Sequence, residues 1–401
     1  MLTLDRVYKA KRVLSEVVRK TDMIRAKNIS SQCDVYLKTE NLQVTGSFKV
    51  RGSYFKISQL SDEEKAKGVI ACSAGNHAQG VALAATKNGI KSLICLPDGA
   101  PISKVEATKR YGADVCLVKG VYDDAYNKAI ELQKEKGYTF IHPFNDPDVI
   151  AGQGTIGLEI LEQLPDVDAV VVPIGGGGLA TGVSTLAKLL NPNIKVIGVE
   201  PAGANCLQES IKAGKVVTLP TVSTIADGTA VKTPGTKLFP YLQKNLDDII
   251  TVPDEDLIVA FLDMVENHKM VVENSGLLTV AAVKQLNVKG KKIVSILSGG
   301  NMDVITMSSV VQQGLVQRSR IFTVSVLLPD RPGELVRVAS IIAEANGNVI
   351  KLEHNQFVSI NRKATVELRI TIEAFGHEHK EEIVAKLEKA GLRPRIVKVN
   401  I

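Results

Sequence analysis

Over most of its first three hundred residues the chain alternates between short apolar strands and longer helical patterns, and this alternation restricts the fold more than any other feature. The strands are nearly unbroken apolar runs, which need cover on both faces and are typical of buried parallel sheets. Several helices end at a glycine, which adopts the left-handed turn of a helix C-terminus at least cost. Two series of this kind predict two parallel α/β units, with strands at 68–71, 92–96, 115–118, 169–174, 195–199 and 292–297 and helices at 77–87, 102–111, 123–136, 179–190, 254–268 and 276–285.

Shorter patterns flank the two series. A helix at 4–18 and a strand at 34–38 are predicted ahead of the first series, and the pattern loosens at about 305–320. Strands and helices in the order βαββαβ, typical of a ferredoxin-like unit, follow at 321–328, 333–345, 349–354, 365–372, 379–390 and 395–400. The predicted domains are an α/β domain at 1–310, a linker at 311–320 and a βαββαβ domain at 321–401. Within the α/β domain we predict a small subdomain at about 53–145, a large subdomain formed by the remainder, and a cleft between them.

Composition excludes several classes of protein. With 401 residues, 45% hydrophobic and 23% charged, the chain has enough apolar residues for two or three cores and no signature of disorder. The 49 basic and 43 acidic residues are interspersed, so the net charge of +6 predicts a solvated surface and no nucleic-acid partner. No apolar run approaches the ~18 residues that cross a bilayer, so we expect no membrane contact. Five cysteines without a CxxC spacing predict free thiols in a reducing, cytoplasmic compartment.

A run of four glycines joins a predicted buried strand to a helix. Its backbone N–H groups, at the positive end of the helix, form a pocket for one phosphate group. The same run satisfies the dinucleotide pattern G-x-G-x-x-A, and Glu200 ends the next strand where an acidic ribose ligand would lie. A single-phosphate cofactor, a dinucleotide and a structural turn are all open on this evidence, and four consecutive glycines favour the first. The candidate phosphate residues are Gly175, Gly176, Gly177, Gly178 and Leu179.

The segment SAGNHAQG (73–80) is a second turn from a strand into a helix, and it lies in the other α/β unit. Its small residues expose backbone donors at the helix start, and Ser73, Asn76 and His77 add polar side chains, which suits a carboxylate ligand. An N-cap by Asn76 beside an incidental histidine is the structural alternative.

The segment SGGN (298–301) ends a strand on the edge where open α/β folds bind ligands. Alone it is a turn more often than a site. A hydroxyl at Ser298, a phosphate cradle and Lys49 in the segment TGSFKVRG (45–52) are together the parts needed to hold pyridoxal 5'-phosphate (PLP).

Six segments taken together resemble the serine/threonine dehydratases of the tryptophan-synthase-β fold type of PLP enzymes. The resemblance extends over about residues 1–310 and implies two parallel-sheet α/β subdomains that enclose a PLP cleft, so it displaces the dinucleotide alternative. The segments are SFKVRG (47–52), SAGNHAQG (73–80), AGQGT (151–155), the tetraglycine run (175–178), ADG (226–228) and SGGN (298–301).

The resemblance implies a role for each of these turns. Lys49 would form the covalent link to PLP and later remove the Cα proton of the substrate, with Phe48 beside the cofactor ring. Asn76 would bond the ring hydroxyl, and Ser298 would face the pyridine nitrogen. The phosphate would lie on Gly175, Gly176, Gly177, Gly178 and Leu179, and the substrate carboxylate on Ser73, Gly75, Asn76 and His77.

Physical chemistry agrees with these roles. A lysine among apolar residues loses the stabilisation of its charge, so its pKa falls and the free amine can act as nucleophile and base. A neutral serine opposite the pyridine nitrogen makes the ring a weaker electron sink, which favours expulsion of a β-hydroxyl. The similar serine racemases have a second serine where this chain has Ala74, so racemisation lacks its second base. The divalent-cation site of those relatives would correspond here to Glu200 and Ala204. This chain has Cys206 where the relatives have a carboxylate, so we assign no metal.

The βαββαβ unit resembles an ACT domain, an amino-acid-sensing module, on the segment LPDRPGEL (328–335). The resemblance implies an amino-acid effector, with isoleucine or valine favoured by family precedent. Gly333 leaves room for the backbone of such an effector at a helix start. A dimerisation module without a ligand is the alternative. An ACT unit with an exposed sheet edge commonly pairs, so we expect a homo-oligomer, either dimer or tetramer. The candidate effector residues are Asp330, Gly333, Asn346 and Asn348.

The expected activity is therefore that of a threonine dehydratase of amino-acid metabolism, with isoleucine biosynthesis as its expected context. It would convert L-threonine to 2-oxobutanoate and ammonia, act also on L-serine, and respond to an amino acid through the ACT domain. A serine-preferring dehydratase, another β-elimination or β-replacement enzyme and a catalytically silent sensor are the alternatives. The extra methyl group of threonine is worth only ~1–3 kcal/mol in an apolar pocket, so motifs do not decide the substrate preference.

Overall fold

The computed structural model describes residues 2–286, 288–355 and 366–399. Its contacts divide the chain into two compact units, Met1–Val304 and Ile305–Ile401. Thr365 and Asn400, which were predicted as strand ends, lie outside the described residues. In the described part of the chain, no helix combines the length and the apolarity that a membrane span requires.

The strands of the first unit form two sheets. The large sheet has the order β1-β2-β10-β7-β8-β9 and is parallel except for β1, and the small sheet has the parallel order β5-β4-β3-β6. The segments SAGNHAQG, tetraglycine and SGGN follow the carboxyl ends of β3, β7 and β10, where open α/β sheets bind ligands. The strands are β1 (Met23–Arg25), β2 (Asp34–Lys38), β3 (Val69–Cys72), β4 (Ser92–Pro97), β5 (Asp114–Val118), β6 (Thr139–Phe140), β7 (Ala169–Pro173), β8 (Lys195–Pro201), β9 (Asp248–Val252) and β10 (Lys292–Ile296).

Helices cover both sheets, and the apolar strands are buried as their composition predicts. All residues of β3 and β7 are buried, with helices supplying the other half of each core. The helices are α1 (Leu4–Leu14), α2 (Lys49–Ser58), α3 (Asp62–Lys67), α4 (Asn76–Lys87), α5 (Ile102–Arg110), α6 (Tyr122–Lys136), α7 (Pro147–Gln163), α8 (Gly178–Leu190), α9 (Cys206–Ala213), α10 (Phe239–Asn245), α11 (Asp254–Asp263) and α12 (Asn274–Val283).

Two predicted helices end earlier than their apolar period suggests. The first helix ends at Leu14 rather than Val18. Beyond it, the side chain of Gln43 binds both the N–H and the C=O of Arg19, at 2.8 and 2.9 Å, and fixes the chain as it leaves the helix. The helix predicted to reach residue 268 is α-helical only to Asp263 and then forms a π-turn, Met264–His268.

The sequence did not predict α7, although it is the longest helix in the described chain. Its glycines lower helix propensity, yet they allow contact between helix backbones. A Cβ at Gly152 would lie 2.5 Å from the backbone oxygen of Arg51 in α2, and a Cβ at Gly182 in α8 would lie 2.7 Å from that of Ile150. The AGQGT segment therefore lets α7 pack closely against α2, which begins with Lys49, and α8, which begins in the tetraglycine run.

The second unit contains the predicted βαββαβ order as one antiparallel sheet, β12-β13-β11-β14. The segment 311–320, predicted as a linker, lies mostly in an unpredicted helix, and the division after residue 304 precedes the predicted boundary at 310. Only Val310 and Gly314 of this helix are buried. The elements are α13 (Val304–Gln317), β11 (Ile321–Leu328), α14 (Glu334–Glu344), β12 (Asn348–Asn355), β13 (Val366–Glu373), α15 (His377–Lys389) and β14 (Arg395–Val397).

Candidate active site

Lys49 is the first residue of α2, and its amine lies beside a turn of the small subdomain. Nζ donates a hydrogen bond to the backbone oxygen of Pro143 at 3.1 Å and lies 5.2 Å from the centre of the Phe48 ring. Burial lowers the pKa of Lys49 to about 8, although the carboxylate of Glu273 opposes the shift. A larger fraction of this amine is therefore neutral near pH 7 than of an ordinary lysine.

The loop before Lys49 is bound to the SGGN segment. Ser47 and Gly299 form an antiparallel bridge, and the N–H of Phe48 donates to the backbone oxygen of Ser298 at 3.0 Å. Ser298 is buried. These contacts bring the predicted cofactor residues Phe48, Lys49 and Ser298 together, although the chain separates them by about 250 residues.

Neighbouring side chains leave no room for a Cβ on the tetraglycine run. A Cβ at Gly176 would overlap the ring of Phe144, and one at Gly178 would lie 2.8 Å from the Cβ of Phe144. Gly177 has φ of +93°, a conformation that favours glycine. The first N–H groups of α8 have no partner within the helix, and Oγ1 of Thr181 in the same turn is buried without a hydrogen-bond partner among the described residues. The loop therefore offers donors to an anion.

The ADG segment (226–228) packs against the tetraglycine run at Gly175. A Cβ at Gly175 would lie 3.4 Å from the backbone oxygen of Gly228. Leu179 is buried in the core of the large sheet. The carboxylate of Asp227 accepts a hydrogen bond from Nζ of Lys104, in α5 of the small subdomain, at 2.7 Å. The segment therefore both supports the loop and connects the two subdomains.

Replacing Gly176 by alanine should weaken PLP binding at least tenfold and lower the free energy of unfolding by about 1–3 kcal/mol, because the new Cβ would displace Phe144 or the loop. Spectrophotometric titration with PLP and chemical denaturation measure the two effects. Gly99→Ala is the matched control, since nothing in the described part of the chain lies within 4 Å of its Cβ position. Equal PLP affinity in Gly176→Ala and wild type would show that this loop does not bind the cofactor.

The SAGNHAQG segment forms the first turn of α4. Oγ of Ser73 accepts a hydrogen bond from the N–H of Gly75 at 3.2 Å, and no described atom lies within 4 Å of a Cβ built at Gly75. Asn76 begins the helix and, like both of these residues, is partly exposed. Three of the four predicted carboxylate residues therefore lie together at a helix start that opens onto free space.

The imidazole of His77 does not reach this space. Nε2 lies 2.8 Å from the backbone oxygen of Ile141, and Nδ1 lies 3.4 Å from Oγ of Ser53. Because a carbonyl oxygen only accepts, Nε2 carries the proton. Burial, reinforced by the charge of Lys49, lowers the pKa of His77 to about 3, so the ring is neutral. Only the backbone N–H of His77 is therefore available for the predicted role at the substrate carboxylate.

Sequence reasoning missed Glu273, which lies at the start of α12. Both of its carboxylate oxygens accept from Nδ2 of Asn76, at 2.7 and 3.0 Å, and Oδ1 of Asn76 accepts from Nδ2 of Asn301 at 2.8 Å. Burial raises the pKa of Glu273 to about 7, although the hydrogen bond from Asn76 opposes the shift. The available signal was a lone glutamate between a short apolar run and a helix start.

Sequence reasoning also missed His142 and Phe144, which lie in the turn after β6. Nδ1 of His142 accepts from the N–H groups of Phe144 and Asn145, at 3.2 and 2.9 Å, and the His142 and Phe144 rings meet edge to face. Burial lowers the pKa of His142 to about 4, with the charge of Lys49 contributing. The same turn places the oxygen of Pro143 beside Lys49 and the Phe144 ring beside the tetraglycine run.

Arg51 belongs to a cluster of buried charges beneath the lysine loop. Its guanidinium donates to Glu40 at 2.7 and 2.8 Å and to Glu159 at 2.7 and 3.0 Å. Nζ of Lys38 donates to Glu159 at 2.6 Å. Burial alone would raise the pKa of Glu40, but Arg51, with smaller contributions from Lys38 and Thr21, holds it below its usual range. This buried charge cluster of two cations and two anions anchors the first turn of α2 to β2 and α7.

Glu200 serves the start of α9. Its oxygens accept from the backbone N–H groups of Leu207 and Gln208 at 2.9 and 2.8 Å, an N-terminal cap and not a free ribose ligand. Cys206, beside it, is a buried thiol whose pKa burial raises to about 12. Within the described ranges, no group of three or more His, Cys, Asp or Glu residues is arranged to hold a metal ion.

The predicted effector residues fall into two groups in one chain. Asp330 and Gly333 precede α14, where Gly333 has φ of +94°. Asn346 and Asn348 follow the other end of this helix, and Asn348 donates to Glu373 at 3.1 Å. The 11 residues of α14 separate the groups by about 16 Å, so the structure does not bring them into one small-molecule site within a single chain.

The residues around Lys49 fit PLP. Oγ of Ser47, Oδ1 of Asn145 and Oγ of Ser275 are buried and have no hydrogen-bond partner among the described residues, as expected where a polar ligand completes the bonding. An amine of lowered pKa supplies a group that reacts with an aldehyde, and the start of α8 supplies donors for a phosphate.

Comparison with known proteins identifies two families. Residues 14–299 match the family described as pyridoxal-phosphate dependent enzyme, and residues 322–392 match the ACT domain. The L-threonine ammonia-lyase of Thermotoga maritima is 44% identical over 400 residues, which cover 99% of this chain and 100% of that protein. The processed form of threonine deaminase isoform 2 from Solanum lycopersicum superimposes with a TM-score of 0.73 at 38% identity, covering 77% of this chain and 94% of that chain.

Maize serine racemase has the same fold, with a TM-score of 0.74 at 36% identity over 79% of this chain and 99% of that chain. These matches confirm the fold, the cofactor and the C-terminal module that the sequence motifs predicted. The chain belongs to the family of pyridoxal-phosphate-dependent enzymes and ends in an ACT domain.

Proposed function

We propose that this chain is a threonine ammonia-lyase, which converts L-threonine to 2-oxobutanoate and ammonia and accepts L-serine as a second substrate. The observation that carries the proposal is the position of Lys49, a buried amine of lowered pKa, directly after the loop that is hydrogen-bonded to Ser298 of the SGGN segment. The 44% identity to the L-threonine ammonia-lyase of Thermotoga maritima extends over the whole of that protein and supports the same activity.

In this proposal PLP, when bound, supplies the electron sink that allows a proton to leave Cα of the substrate. Lys49 holds the cofactor covalently, and Phe48 lies beside its ring. Gly175 to Leu179 hold the phosphate through the open N–H groups at the start of α8. Asn76 serves the ring hydroxyl and Ser298 the ring nitrogen.

Lys49 is also the proposed base at Cα. A base acts most efficiently when its pKa lies near the working pH, and burial brings the amine from its ordinary value of 10.5 to about 8. The oxygen of Pro143 accepts a hydrogen bond from Nζ and restricts its position. His77 and His142 stay neutral beside it, because burial lowers their pKa values to about 3 and about 4, so neither offers a competing cation.

Substrate binding in this proposal uses the start of α4. Ser73, Gly75 and the backbone N–H groups of Asn76 and His77 receive the carboxylate, with the helix dipole favouring its charge. Ala74 has no ionisable group where serine racemases carry their second base. This absence favours elimination over racemisation, so unreacted L-serine should keep its configuration.

The test of this function is an assay of the purified, PLP-loaded protein with L-threonine and L-serine. We expect 2-oxobutanoate from threonine and a higher kcat/KM for threonine than for serine. A higher value for serine would assign a serine-preferring dehydratase, and a substituted product formed with added sulfide would assign β-replacement. Visible cofactor absorbance without any 2-oxo acid would leave a catalytically silent sensor.

Regulation through the ACT domain is a second part of the proposal, with isoleucine or valine as the effector. The start of α14 supports it, because Asp330 is exposed and no described atom lies within 4 Å of a Cβ built at Gly333. We expect isoleucine to change the threonine rate of the full chain and Asp330→Ala to weaken this response. Asn348→Ala, at the other end of α14, is the comparison; an equal loss there would mean that both ends contribute, through two copies of the chain.

Assembly and location complete the proposal. We expect a dimer or tetramer, since β12 and β14 are sheet edges of the ACT domain, and light scattering of the full chain measures the mass. Five free cysteine thiols support a reducing compartment such as the cytoplasm.

A further inference from the structure

A chain of hydrogen bonds runs from the loop before Lys49 to Glu273. Nδ2 of Asn301 donates to the backbone oxygen of Thr45 at 2.7 Å and to Oδ1 of Asn76 at 2.8 Å. Nδ2 of Asn76 then donates to both oxygens of Glu273, at 2.7 and 3.0 Å. We call these four residues, Thr45, Asn301, Asn76 and Glu273, the amide relay.

The direction of the amide relay is determined at both ends. A backbone oxygen cannot donate, so Asn301 must turn its NH₂ group toward Thr45, and the same NH₂ then requires the oxygen of Asn76. An ionised carboxylate cannot donate either, so Glu273 requires the NH₂ group of Asn76. Each end alone selects the same orientation of the Asn76 carboxamide, and a rotation by 180° would oppose acceptor to acceptor.

Two glycines of the sequence motifs make room for the amide relay. A Cβ at Gly46 would overlap Oδ1 of Asn301, and a Cβ at Gly299 would overlap an oxygen of Glu273 and lie 3.1 Å from Nδ2 of Asn76. Gly46 also has φ of +70°, which favours glycine. The TGSFKVRG and SGGN segments are thus shaped around these side chains as well as around the lysine.

We propose that Glu273 is a positioning residue, which holds the carboxamide of Asn76 with its N–H groups, and not its oxygen, available to the ring hydroxyl of PLP. The inference rests on the proposed roles of PLP and Asn76. The NH₂ group has two hydrogens, so one can serve Glu273 while the other serves the cofactor. Without the carboxylate, only Asn301 orients the amide, and the NH₂ group of Asn76 loses its charged acceptor.

The groups that face Glu273 also make it sensitive to pH. Lys49 of α2 and Lys104 of α5 contribute positive charge, and Asp227 contributes negative charge. Burial raises the pKa of Glu273 to about 7, so its charge changes within the range where the enzyme is assayed. Glutamine at this position keeps an acceptor for Asn76 but removes the ionisation.

Glu273→Ala, Glu273→Gln and Asn301→Asp test the amide relay in the full chain. We expect at least a tenfold higher Kd for PLP, measured by fluorescence titration, and a shifted visible absorbance band in Glu273→Ala. Asn301→Asp should do the same from the other end, because a carboxylate there attracts the NH₂ group of Asn76 away from Glu273. Glu273→Gln should keep PLP affinity within about threefold but lose the change of the absorbance band near pH 7.

Glu200→Gln is the matched control, because Glu200 is also a buried carboxyl whose pKa burial raises to about 7, yet it caps α9 away from the relay. It should leave the cofactor band and its pH dependence unchanged. Wild-type affinity, band and pH dependence in both Glu273→Ala and Asn301→Asp would overturn the proposal. The PLP titrations and spectra do not depend on catalysis. If wild-type protein binds PLP but releases no 2-oxobutanoate, the proposed function is rejected, whereas the binding and spectral data still test the amide relay.

Discussion

Replacement of Lys49 by methionine should lower the turnover of L-threonine by at least about 10³-fold, because in the proposed function one amine supplies both the covalent attachment of PLP and the base at Cα. The visible absorbance of lysine-bound PLP should disappear as well. Methionine keeps most of the volume of lysine, so the loss reports chemistry rather than a cavity. Lys65→Met, at the surface of α3, is the control and should retain both signals. Retained turnover in Lys49→Met would reject the central assignment.

The same variant should be more stable than wild type when both are free of cofactor. Folding lowers the pKa of Lys49 from 10.5 to about 8, which costs up to about 3 kcal/mol at pH 7. The unfolded state binds more protons between pH 8 and pH 10.5, so wild-type stability should rise through this window. The advantage of Lys49→Met should shrink over the same window, as measured by urea denaturation. An advantage independent of pH would contradict this account.

Replacement of Arg51 by methionine should reduce the free energy of unfolding by about 3–5 kcal/mol, since Glu40 and Glu159 would remain buried with one cation, Lys38, between them. Turnover should fall too, because the first turn of α2 carries Lys49. Denaturation of the PLP-free protein separates the two effects. Lys67→Met removes an exposed pair with Glu63 and should change stability by less than about 1 kcal/mol.

The pH dependence identifies the cause of this loss. In wild type, Arg51 holds the pKa of Glu40 below its usual range, so Glu40 contributes stability above that range and loses it as the pH falls through the folded value. Without Arg51, burial should raise this pKa, and stability should fall as the pH rises. The deficit of Arg51→Met should thus be larger at pH 8 than at pH 5. Arg51→Met/Glu40→Gln should recover part of the pH 8 loss; no recovery would show that charge balance is not the reason.

Sequence periodicity was sufficient for the layers of the fold. Parallel strands covered on both faces must be apolar along their whole length, and β3 and β7 are. Periodicity did not predict helices that pack through glycine contacts or that bury few side chains. The glycines of α7 allow close backbone contact at the cost of helix propensity, and α13 buries only Val310 and Gly314.

The candidate site could be predicted only as far as its motifs. Lys49, the tetraglycine run and Ser298 were predicted as site residues because their residue types and their places in turns suggest chemistry before any contact is known. Glu273 and His142 were not predicted, since a lone glutamate before a helix start, or a histidine after a short strand, does not by itself show whether the side chain reaches the site or the surface.

The sequence by itself determined which groups are present: one lysine in a glycine-bounded loop, a run of four glycines before a helix and a neutral serine after a strand. Only the tertiary structure decided how those groups behave. Burial beside Pro143 lowers the pKa of Lys49, two interior hydrogen bonds take the His77 ring out of the site, and the relay to Glu273 orients Asn76. The physical reason is that pKa values and amide orientations depend on the dielectric and on partners far along the chain, which residue identity does not contain.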